Sequence, residues 1–270
     1  MSLIKDYRLK PGNQVNLKDY NPGDTGPFKD RNEAVEDVEA DRQKLIDLQE
    51  RLYAERQRSL LIVLQGMDTS GKDGAIAHVM SGVNPQGVQV TAFGPPSPEE
   101  LAHDYLWRVH QAAPSRGRLG IFNRSHYEDV LVVRVHQLVP EKVWRARYQQ
   151  INDFERQLGE SGTTILKFFL HISKDEQKKR LQDRLDDATK NWKFNIGDLA
   201  ERKLWNDYQQ AYEDALGKCS TDDAPWYIVP ANRKWYRNYL IMRAIVETLE
   251  KMNPQYPPPP PDLDKVIIED

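Results

Sequence analysis

The sequence contains very little cysteine and no long apolar segment. Of its 270 residues only Cys219 is a cysteine, which excludes an internal disulfide framework and fits a reducing cytoplasm. No apolar run approaches the roughly 20 residues that a membrane helix requires, and the first residues lack the apolar core of a signal peptide. We therefore expect a cytoplasmic protein without a membrane partner, in which the cysteine has no catalytic role.

The chain also has no excess of basic residues and no histidines spaced as metal ligands. The net charge of -3 argues against generic binding of nucleic acid, and the six histidines lack the spacing of zinc ligands. Hydrophobic residues make up 39% of the chain and charged residues 29%, enough for one core under a highly polar surface. The length fits one sizeable domain with appendages better than two independent domains.

The most informative motif is a glycine loop between an apolar run and a helix-like stretch. The run 60–65 is LLIVLQ, and the segment 66–73, GMDTSGKD, has the Walker A spacing G-x-x-x-x-G-K. In such a loop, backbone N–H groups, a helix N-terminus and the lysine charge together bind phosphate. The residues predicted to bind phosphate here are Gly66, Met67, Thr69, Ser70, Gly71, Lys72, Asp73 and Gly74.

Two carboxylates make this loop unusual. Asp73 stands where a Ser or Thr would bind magnesium, and Asp68 lies inside the loop. A carboxylate beside phosphate oxygens is repulsive unless a cation lies between them, so we interpret Asp68 as a metal ligand. The alternative is that Asp68 and Thr69 only supply turn chemistry. The metal interpretation indicates a phosphoryl-transfer enzyme.

Alternating strands and helices predict the fold. The fold class is α/β: a P-loop kinase-like three-layer sandwich with a parallel sheet of about five strands, helices on both faces and a helical lid. Predicted strands are 60–65, 87–93, 119–122, 163–172 and 226–230; predicted helices include 32–58, 97–111, 130–135, 141–160, 174–185, 197–216 and 234–252. Asn32 and Ser97 are predicted N-caps. Three segments are expected: an extended arm at 1–31, one P-loop phosphotransferase domain at 32–252, and a Pro-rich tail at 253–270.

A second candidate cluster follows the third strand, at the sheet edge where ligands collect. Arg124 can bind a phosphate through two hydrogen bonds. Asp129 is predicted to bind metal or accept a proton facing Asp68, and Glu128 is a further catalytic candidate. The alternatives are an ordinary salt bridge for Arg124 and helix-dipole capping for the two carboxylates. Arg134 reaches the phosphates only through its long side chain, so a solvated or paired arginine is its alternative.

A charged segment at about 178–203 is the predicted lid. Arg180 and Arg184 are four residues apart and share a helix face, so both are predicted phosphate ligands. In a kinase such a segment closes over phosphates and excludes water. The alternative is a solvated charged hairpin, because neighbouring aspartates offset the charge. Trp192 either stacks on a nucleobase or caps the lid's own small cluster.

These segments resemble the polyphosphate kinase 2 family. The sequences 66–74 (GMDTSGKDG) and 123–130 (NRSHYEDV) and the charged lid occur in that family's order, and the resemblance runs from about residue 40 to 250. The run 126–129, HYED, is similar to the class III branch. Other branches tend to have Trp-Tyr-Asn-Arg there and an Asp at the position of Asn123. This departure moves the expected metal role to Asp68 and Asp129.

The resemblance implies a reaction and its components. The terminal phosphoryl of inorganic polyphosphate passes reversibly to AMP or ADP, and to guanine nucleotides, with Mg²⁺, or Mn²⁺ in its place, bridging both chains. A homodimer or homotetramer is implied. The implied catalytic residues are Asp68, Lys72, Arg124, Glu128 and Asp129.

Two other functions stay open at the level of the sequence. One is an ATP-dependent nucleoside or small-molecule kinase on the same fold. The other is a regulatory P-loop NTPase, although the guanine motif Asn-Lys-x-Asp is missing.

Overall fold

The computed structural model describes residues 3–268, and a parallel five-stranded sheet forms its centre. The strand order is β2-β3-β1-β4-β5. The strand bounds are β1 Ser59–Gln65, β2 Val88–Ala92, β3 Leu119–Asn123, β4 Thr163–His171 and β5 Trp226–Pro230. Every residue of β1 is buried, because the strand lies between β3 and β4 and both sheet faces are covered. The α/β fold class and the five strands are confirmed.

The helices of the described chain pack in two groups. Their bounds are α1 Val35–Glu55, α2 Lys72–Val79, α3 Pro98–Leu101, α4 Trp107–Ala112, α5 Val132–Val135, α6 Glu141–Glu160, α7 Lys174–Asp186, α8 Gly197–Lys203, α9 Trp205–Cys219 and α10 Lys234–Met252. Helices α1, α2 and α10 contact one another, and α5, α6 and α9 form the second group. Because the strands are parallel, the carboxyl ends of β1, β3 and β4 lie at the same end of the sheet, beneath α7 and α8.

Two predicted helices are each divided in the structure, and the other predicted helices differ from their expected bounds by at most three residues. The segment 97–111 is two helices, because the Asp104 carboxylate accepts a hydrogen bond from the Leu106 N–H and a turn replaces the helix there. The segment 197–216 is likewise divided into α8 and α9. Ser97 is confirmed as an N-cap within a capping box. Asn32 is not one: it begins a 3₁₀ turn, and Ala34 precedes α1.

The N-terminal segment lies along the edge strand β5. Ile4, Leu9 and Leu17 are buried, and the Leu9 N–H donates to the Trp226 carbonyl oxygen over 2.8 Å. The segment therefore shields an otherwise exposed sheet edge. The prolines at 257–261 are exposed. Within residues 3–268, none of the helices has the length and apolar character needed to cross a bilayer.

Candidate active site

The glycine loop joins β1 to α2, and close packing explains its two motif glycines. Gly71 is the N-cap of α2 with a φ of 98°, a left-handed conformation that favours glycine. A Cβ at this position would collide with the guanidinium of Arg237 on α10. At Gly66 a Cβ would lie 2.8 Å from the carbonyl oxygen of Leu170 on β4. The Walker A spacing thus reflects the close approach of α10 and β4 to the loop.

Lys72 is folded back over this loop. Its Nζ donates to the carbonyl oxygens of Gly66, over 2.8 Å, and Met67, over 3.4 Å, and only 8% of the residue is exposed. Burial, and then the nearby charge of Arg124, lower the pKa of Lys72 to about 8. The lysine is therefore a desolvated cation whose present partners are neutral carbonyl groups. A phosphate oxygen would be a stronger partner.

Arg124 connects the glycine loop to the turn after β3. Its Nη2 donates to Asp68 Oδ1 over 2.7 Å, and its Nη1 lies 3.9 Å from Glu128 Oε2. Burial raises the pKa of Glu128, and the charge of Arg124 opposes that rise. Nearby, Asn123 Nδ2 donates to Asp73 Oδ1 over 2.6 Å. Arg124 therefore offsets two carboxylates from different elements.

A large cavity with cationic walls opens above the loop; we call it the basic cavity. Its volume is about 860 Å³, and the glycine loop, the β3 end, the lid and α10 line it. Its basic side chains are Lys72, Arg124, Arg180, Arg184, Lys190, Lys193, Lys234 and Arg237. Its acidic side chains are Asp68, Asp73, Asp183 and Asp198. The excess of cations suits a polyanionic ligand, although the chain as a whole has a net negative charge.

A second cavity, with largely apolar walls, adjoins the first; we call it the apolar cavity. Its volume is about 530 Å³. The apolar wall residues are Phe93, Pro95, Pro96, Leu101, Tyr105, Val132, Val133, Leu138 and Val139, and the polar ones include Arg108, Arg124, Glu128, Asp129 and Arg147. Phe93, Gly94 and Arg124 line both cavities. The two cavities therefore meet at Arg124.

Asp129 belongs to the apolar cavity. Arg147 Nη1 donates to Asp129 Oδ1 over 2.9 Å, and the Arg147 guanidinium lies 4.5 Å from the Tyr105 ring centroid. Burial raises the pKa of Asp129 to about 6, although the charge of Arg147 opposes the rise. The Tyr105 hydroxyl is buried and has no hydrogen-bond partner among the described residues. This end of the cavity thus offers a carboxylate, a cation and a free hydroxyl.

Most of the chain matches a known protein family. A sequence model of the family described as Polyphosphate kinase 2 (PPK2) matches residues 29–257. The chain belongs to the polyphosphate kinase 2 family. A protein of Meiothermus ruber named AMP/ADP-polyphosphate phosphotransferase is 55% identical over 98% of this chain and 100% of its own length.

Two further similarities cover nearly the whole chain. An ADP-polyphosphate phosphotransferase of Rhodopseudomonas palustris is 43% identical over 98% of this chain and 96% of its own. The crystal structure of polyphosphate kinase 2 from Arthrobacter aurescens TC1 has a TM-score of 0.94 at 43% identity, covering 98% of this chain and 95% of that one. The family match and the shared fold therefore extend over the same residues that form both cavities.

In this polyphosphate kinase 2 family member, Asp68 and Asp129 do not share a cavity. Asp68 lines the basic cavity and pairs with Arg124, whereas Asp129 lines the apolar cavity and pairs with Arg147. The expectation that Asp129 faces Asp68 is therefore corrected. No cluster of three or more potential metal-binding side chains occurs within residues 3–268. Asp68 lies near the P-loop lysine, together with Asp73 and Glu128, and its carboxylate is an oxygen donor of the kind that Mg²⁺ prefers.

Arg180 lines the basic cavity and also supports the glycine loop, and its predicted role as a phosphate ligand stays a prediction. Its Nη1 donates to the carbonyl oxygens of Thr69 and Ser70, and its Nη2 to that of Ala231. Its Nε donates to Glu176 over 2.8 Å. The guanidinium is thus engaged with backbone and carboxylate groups. Arg184 lines the basic cavity too, and its Nη1 donates to Asp198 Oδ2 and to the Lys193 carbonyl oxygen.

Arg134 lies outside both cavities, which corrects its expected contact with phosphate. Its Nη1 donates to Asp214 Oδ2 over 2.6 Å and to the Tyr148 hydroxyl over 3.1 Å. Its guanidinium lies 4.6 Å from the Trp144 ring centroid. The side chain therefore joins α5 to α6 and α9, the paired alternative that the sequence left open.

Arg134→Ala is consequently expected to lower stability and to leave catalysis near the wild-type rate. Loss of the charged hydrogen bond and the ring contact should cost about 2 kcal/mol of unfolding free energy. Urea unfolding and steady-state kinetics would measure both effects. If kcat fell tenfold or more in a fully folded variant, Arg134 would have a role in catalysis after all.

Sequence reasoning did not identify Arg237 or Arg147. Arg237 Nη1 donates to the Ser70 carbonyl oxygen over 3.0 Å, and burial lowers the Arg237 pKa to about 10. One signal was available, because Arg237 shares a helix face with buried Leu240 and Ile241. An arginine on an apolar face requires a buried partner. Arg147 gave the same signal, because it shares a face of α6 with buried Trp144 and Ile151.

The pKa of Lys72 predicts an alkaline limit to catalysis. Its pKa in the folded protein is about 8, below the ordinary value of 10.5. Its charge therefore costs stability below pH 8, and that cost disappears as the pH rises towards 10.5. Since kcat/KM reports the free enzyme, kcat/KM for the donor should fall above about pH 8. In Lys72→Arg, kcat/KM should begin to fall at a higher pH. If the pH of the fall is unchanged, a group other than Lys72 causes it.

Proposed function

We propose that this chain transfers the terminal phosphoryl group of inorganic polyphosphate to ADP and to AMP. The observation that carries the proposal is the meeting of a basic and an apolar cavity at Arg124. Phosphoryl transfer requires positioning and charge neutralisation rather than covalent help from the protein. A donor in one cavity and an acceptor in the other would bring their reacting phosphates together at Arg124.

Polyphosphate fits the basic cavity. An inorganic polymer has no base or ribose to recognise, and the cavity offers a row of cations from the glycine loop to the lid. Lys72 lies at its inner end, where the terminal phosphoryl would react, and the lid lysines Lys190 and Lys193 lie towards the polymer. The cations would neutralise successive phosphates along the chain.

A nucleotide fits the apolar cavity. Its proline, valine and leucine walls match the faces of a purine ring, and the free Tyr105 hydroxyl can make a hydrogen bond with a base edge or ribose. Arg124 at the junction would then bind the acceptor phosphate, with Glu128 beside it. The name of the Meiothermus ruber relative, which pairs AMP and ADP with polyphosphate, agrees with this assignment.

The transfer itself would be an in-line displacement. An oxygen of the acceptor's last phosphate attacks the terminal phosphorus of polyphosphate, and the bond to the bridging oxygen breaks, shortening the polymer by one phosphate. Lys72 and Arg124 would offset charge on the transferred group. A divalent ion, Mg²⁺ or Mn²⁺, would supply further neutralisation between the two phosphate chains, with Asp68 as its protein ligand. The reverse reaction follows when nucleoside triphosphate is in excess.

The HYED run at 126–129 supports the class III assignment, in which one site extends both AMP and ADP. We also propose a cytoplasmic homodimer or homotetramer that accepts guanine nucleotides as well. Light scattering would give the oligomeric state. Competition between AMP and ADP for one site would support the class III assignment.

ATP formation from ADP and polyphosphate in the presence of Mg²⁺, with no ATP added, tests the function directly. The proposal predicts ATP and polyphosphate shortened by one phosphate per turnover. An ATP-dependent nucleoside kinase would form no ATP here but would phosphorylate AMP or a nucleoside from ATP. A regulatory NTPase would bind nucleotide tightly and turn over slowly. Either result would contradict the proposal.

A further inference from the structure

A buried ionic cluster lies beneath the turn that carries Glu128 and Asp129. Its members are Lys167 on β4, Glu155 on α6, and His126 and Tyr127 in the turn; each is at most 3% exposed. None of the four lines the basic or the apolar cavity. The cluster therefore contacts no substrate in the proposed reaction, although it adjoins two predicted catalytic residues in sequence.

The cluster is closely hydrogen-bonded around the Lys167 ammonium group. Lys167 Nζ donates to Glu155 Oε2, to the Tyr127 hydroxyl over 2.8 Å and to the Cys219 carbonyl oxygen over 2.6 Å. The Tyr127 hydroxyl in turn donates to Glu155 Oε1 over 2.9 Å. His126 Nε2 lies 3.2 Å from the same carboxylate oxygen. All three N–H donors of the lysine are thus engaged, and two of its partners are also joined to each other.

Stability alone is a poor explanation for this arrangement. Taking a full charge pair out of water is expensive, and apolar residues of similar volume commonly stabilise a core equally well. The ion pair instead fixes the orientation of two side chains, because its hydrogen bonds hold Tyr127 and His126 in place. Buried polar groups of this kind can select a single local geometry.

The turn that contains His126 and Tyr127 also contains Glu128 and Asp129, so the orientation of the first two residues affects the position of the last two. It is one 3₁₀ turn, His126–Asp129, in which the first two side chains enter the cluster and the next two line the apolar cavity. Ser125 Oγ accepts the Tyr127 N–H and also Gln65 Nε2, at the end of β1 just before the glycine loop. A small rotation of the turn would therefore move Glu128 away from Arg124 and Asp129 away from Arg147.

We propose that Lys167 and Glu155 are positioning residues that hold Glu128 and Asp129 in their catalytic geometry through the Tyr127 hydroxyl. The inference rests on the proposed phosphoryl transfer, because Glu128 and Asp129 are assigned to that site. It extends the functional residues into the interior of the sheet.

Tyr127→Phe tests the inference with the smallest change. The variant loses the hydroxyl that hydrogen-bonds Lys167 and Glu155 but keeps the ion pair between them, so it should still fold, with a Tm a few degrees below that of the wild type. Displacements of about 1 Å at a reacting centre cost up to about 100-fold in rate. We expect kcat for ATP formation from ADP and polyphosphate to fall about 10-fold or more, with both KM values within about twofold of wild type. Combined Lys167→Met and Glu155→Gln, which removes both charges, should lower kcat at least as much.

Tyr148→Phe is the matched control. Tyr148 is also buried with its hydroxyl on a charged group, Arg134, but it does not touch the turn. It should retain the wild-type kcat. A wild-type kcat for Tyr127→Phe overturns the inference, as does a loss of rate that merely follows the loss of folded protein measured by circular dichroism. Failure of the wild-type enzyme itself to form ATP would instead contradict the proposed function.

Discussion

Lys72→Met is expected to lower the rate of ATP formation from ADP and polyphosphate by about 10³-fold or more. The substitution keeps the aliphatic stem and removes the desolvated cation nearest to the glycine loop. Charge on the transferred phosphoryl would then lose a closely placed positive partner in a site where water cannot fully replace it. Steady-state kinetics at saturating ADP, polyphosphate and Mg²⁺ would measure the effect.

The control for this prediction is Lys142→Met. Lys142 is exposed on α6 and lines neither cavity, so its removal changes the net charge equally without touching the site. Its kcat should stay within about twofold of wild type. If the two variants had similar rates, the loop lysine would have no catalytic role and only general charge would matter.

Asp68→Asn is expected to lower kcat by about 10²-fold or more and to raise the Mg²⁺ concentration needed for half-maximal activity. The amide keeps the shape and the polar contact but lacks the charge that makes a carboxylate a strong ligand for a hard cation. A titration of the rate with Mg²⁺ measures both effects.

Asp129→Asn provides the comparison. Because Asp129 lies in the apolar cavity with Arg147, its amide variant should keep the wild-type dependence on Mg²⁺ even where kcat falls. An unchanged Mg²⁺ dependence for Asp68→Asn would remove Asp68 from the metal site. A shift for Asp129→Asn would support the predicted metal role of Asp129 as well as that of Asp68.

The sheet could be predicted from the sequence because its signals are local. The apolar run 60–64, and the largely apolar run 163–170 with Lys167 as its one charged residue, are typical of strands buried on both faces, and helical stretches between them leave only parallel connections. The helix breaks near Asp104 and Leu204 were missed. At Asp104 the cause is a hydrogen bond from a side chain to the backbone, which outweighs the apolar period over a few residues.

The site could be predicted where a motif fixes neighbouring residues and not where partners come from distant segments. Gly66, Gly71 and Lys72 follow from one loop, and Arg124 follows from the end of a neighbouring strand. Arg180 was predicted to lie at the glycine loop, and it does, but its contacts with the loop's carbonyl oxygens were not predicted. Residue spacing alone cannot tell a phosphate oxygen from a carbonyl oxygen. Asp129 and Arg134 were misplaced for a related reason: Arg147 and Asp214, which pair with them, are 18 and 80 residues away.

A crystal structure with both ADP and a short polyphosphate, grown without divalent metal to slow transfer, would test the assignment of the two cavities most directly. The account predicts phosphates of the polymer along the basic cavity, ending at Lys72, with the adenine in the apolar cavity near Tyr105. Adenine against Trp192 in the basic cavity, with no ligand near Tyr105, would contradict it.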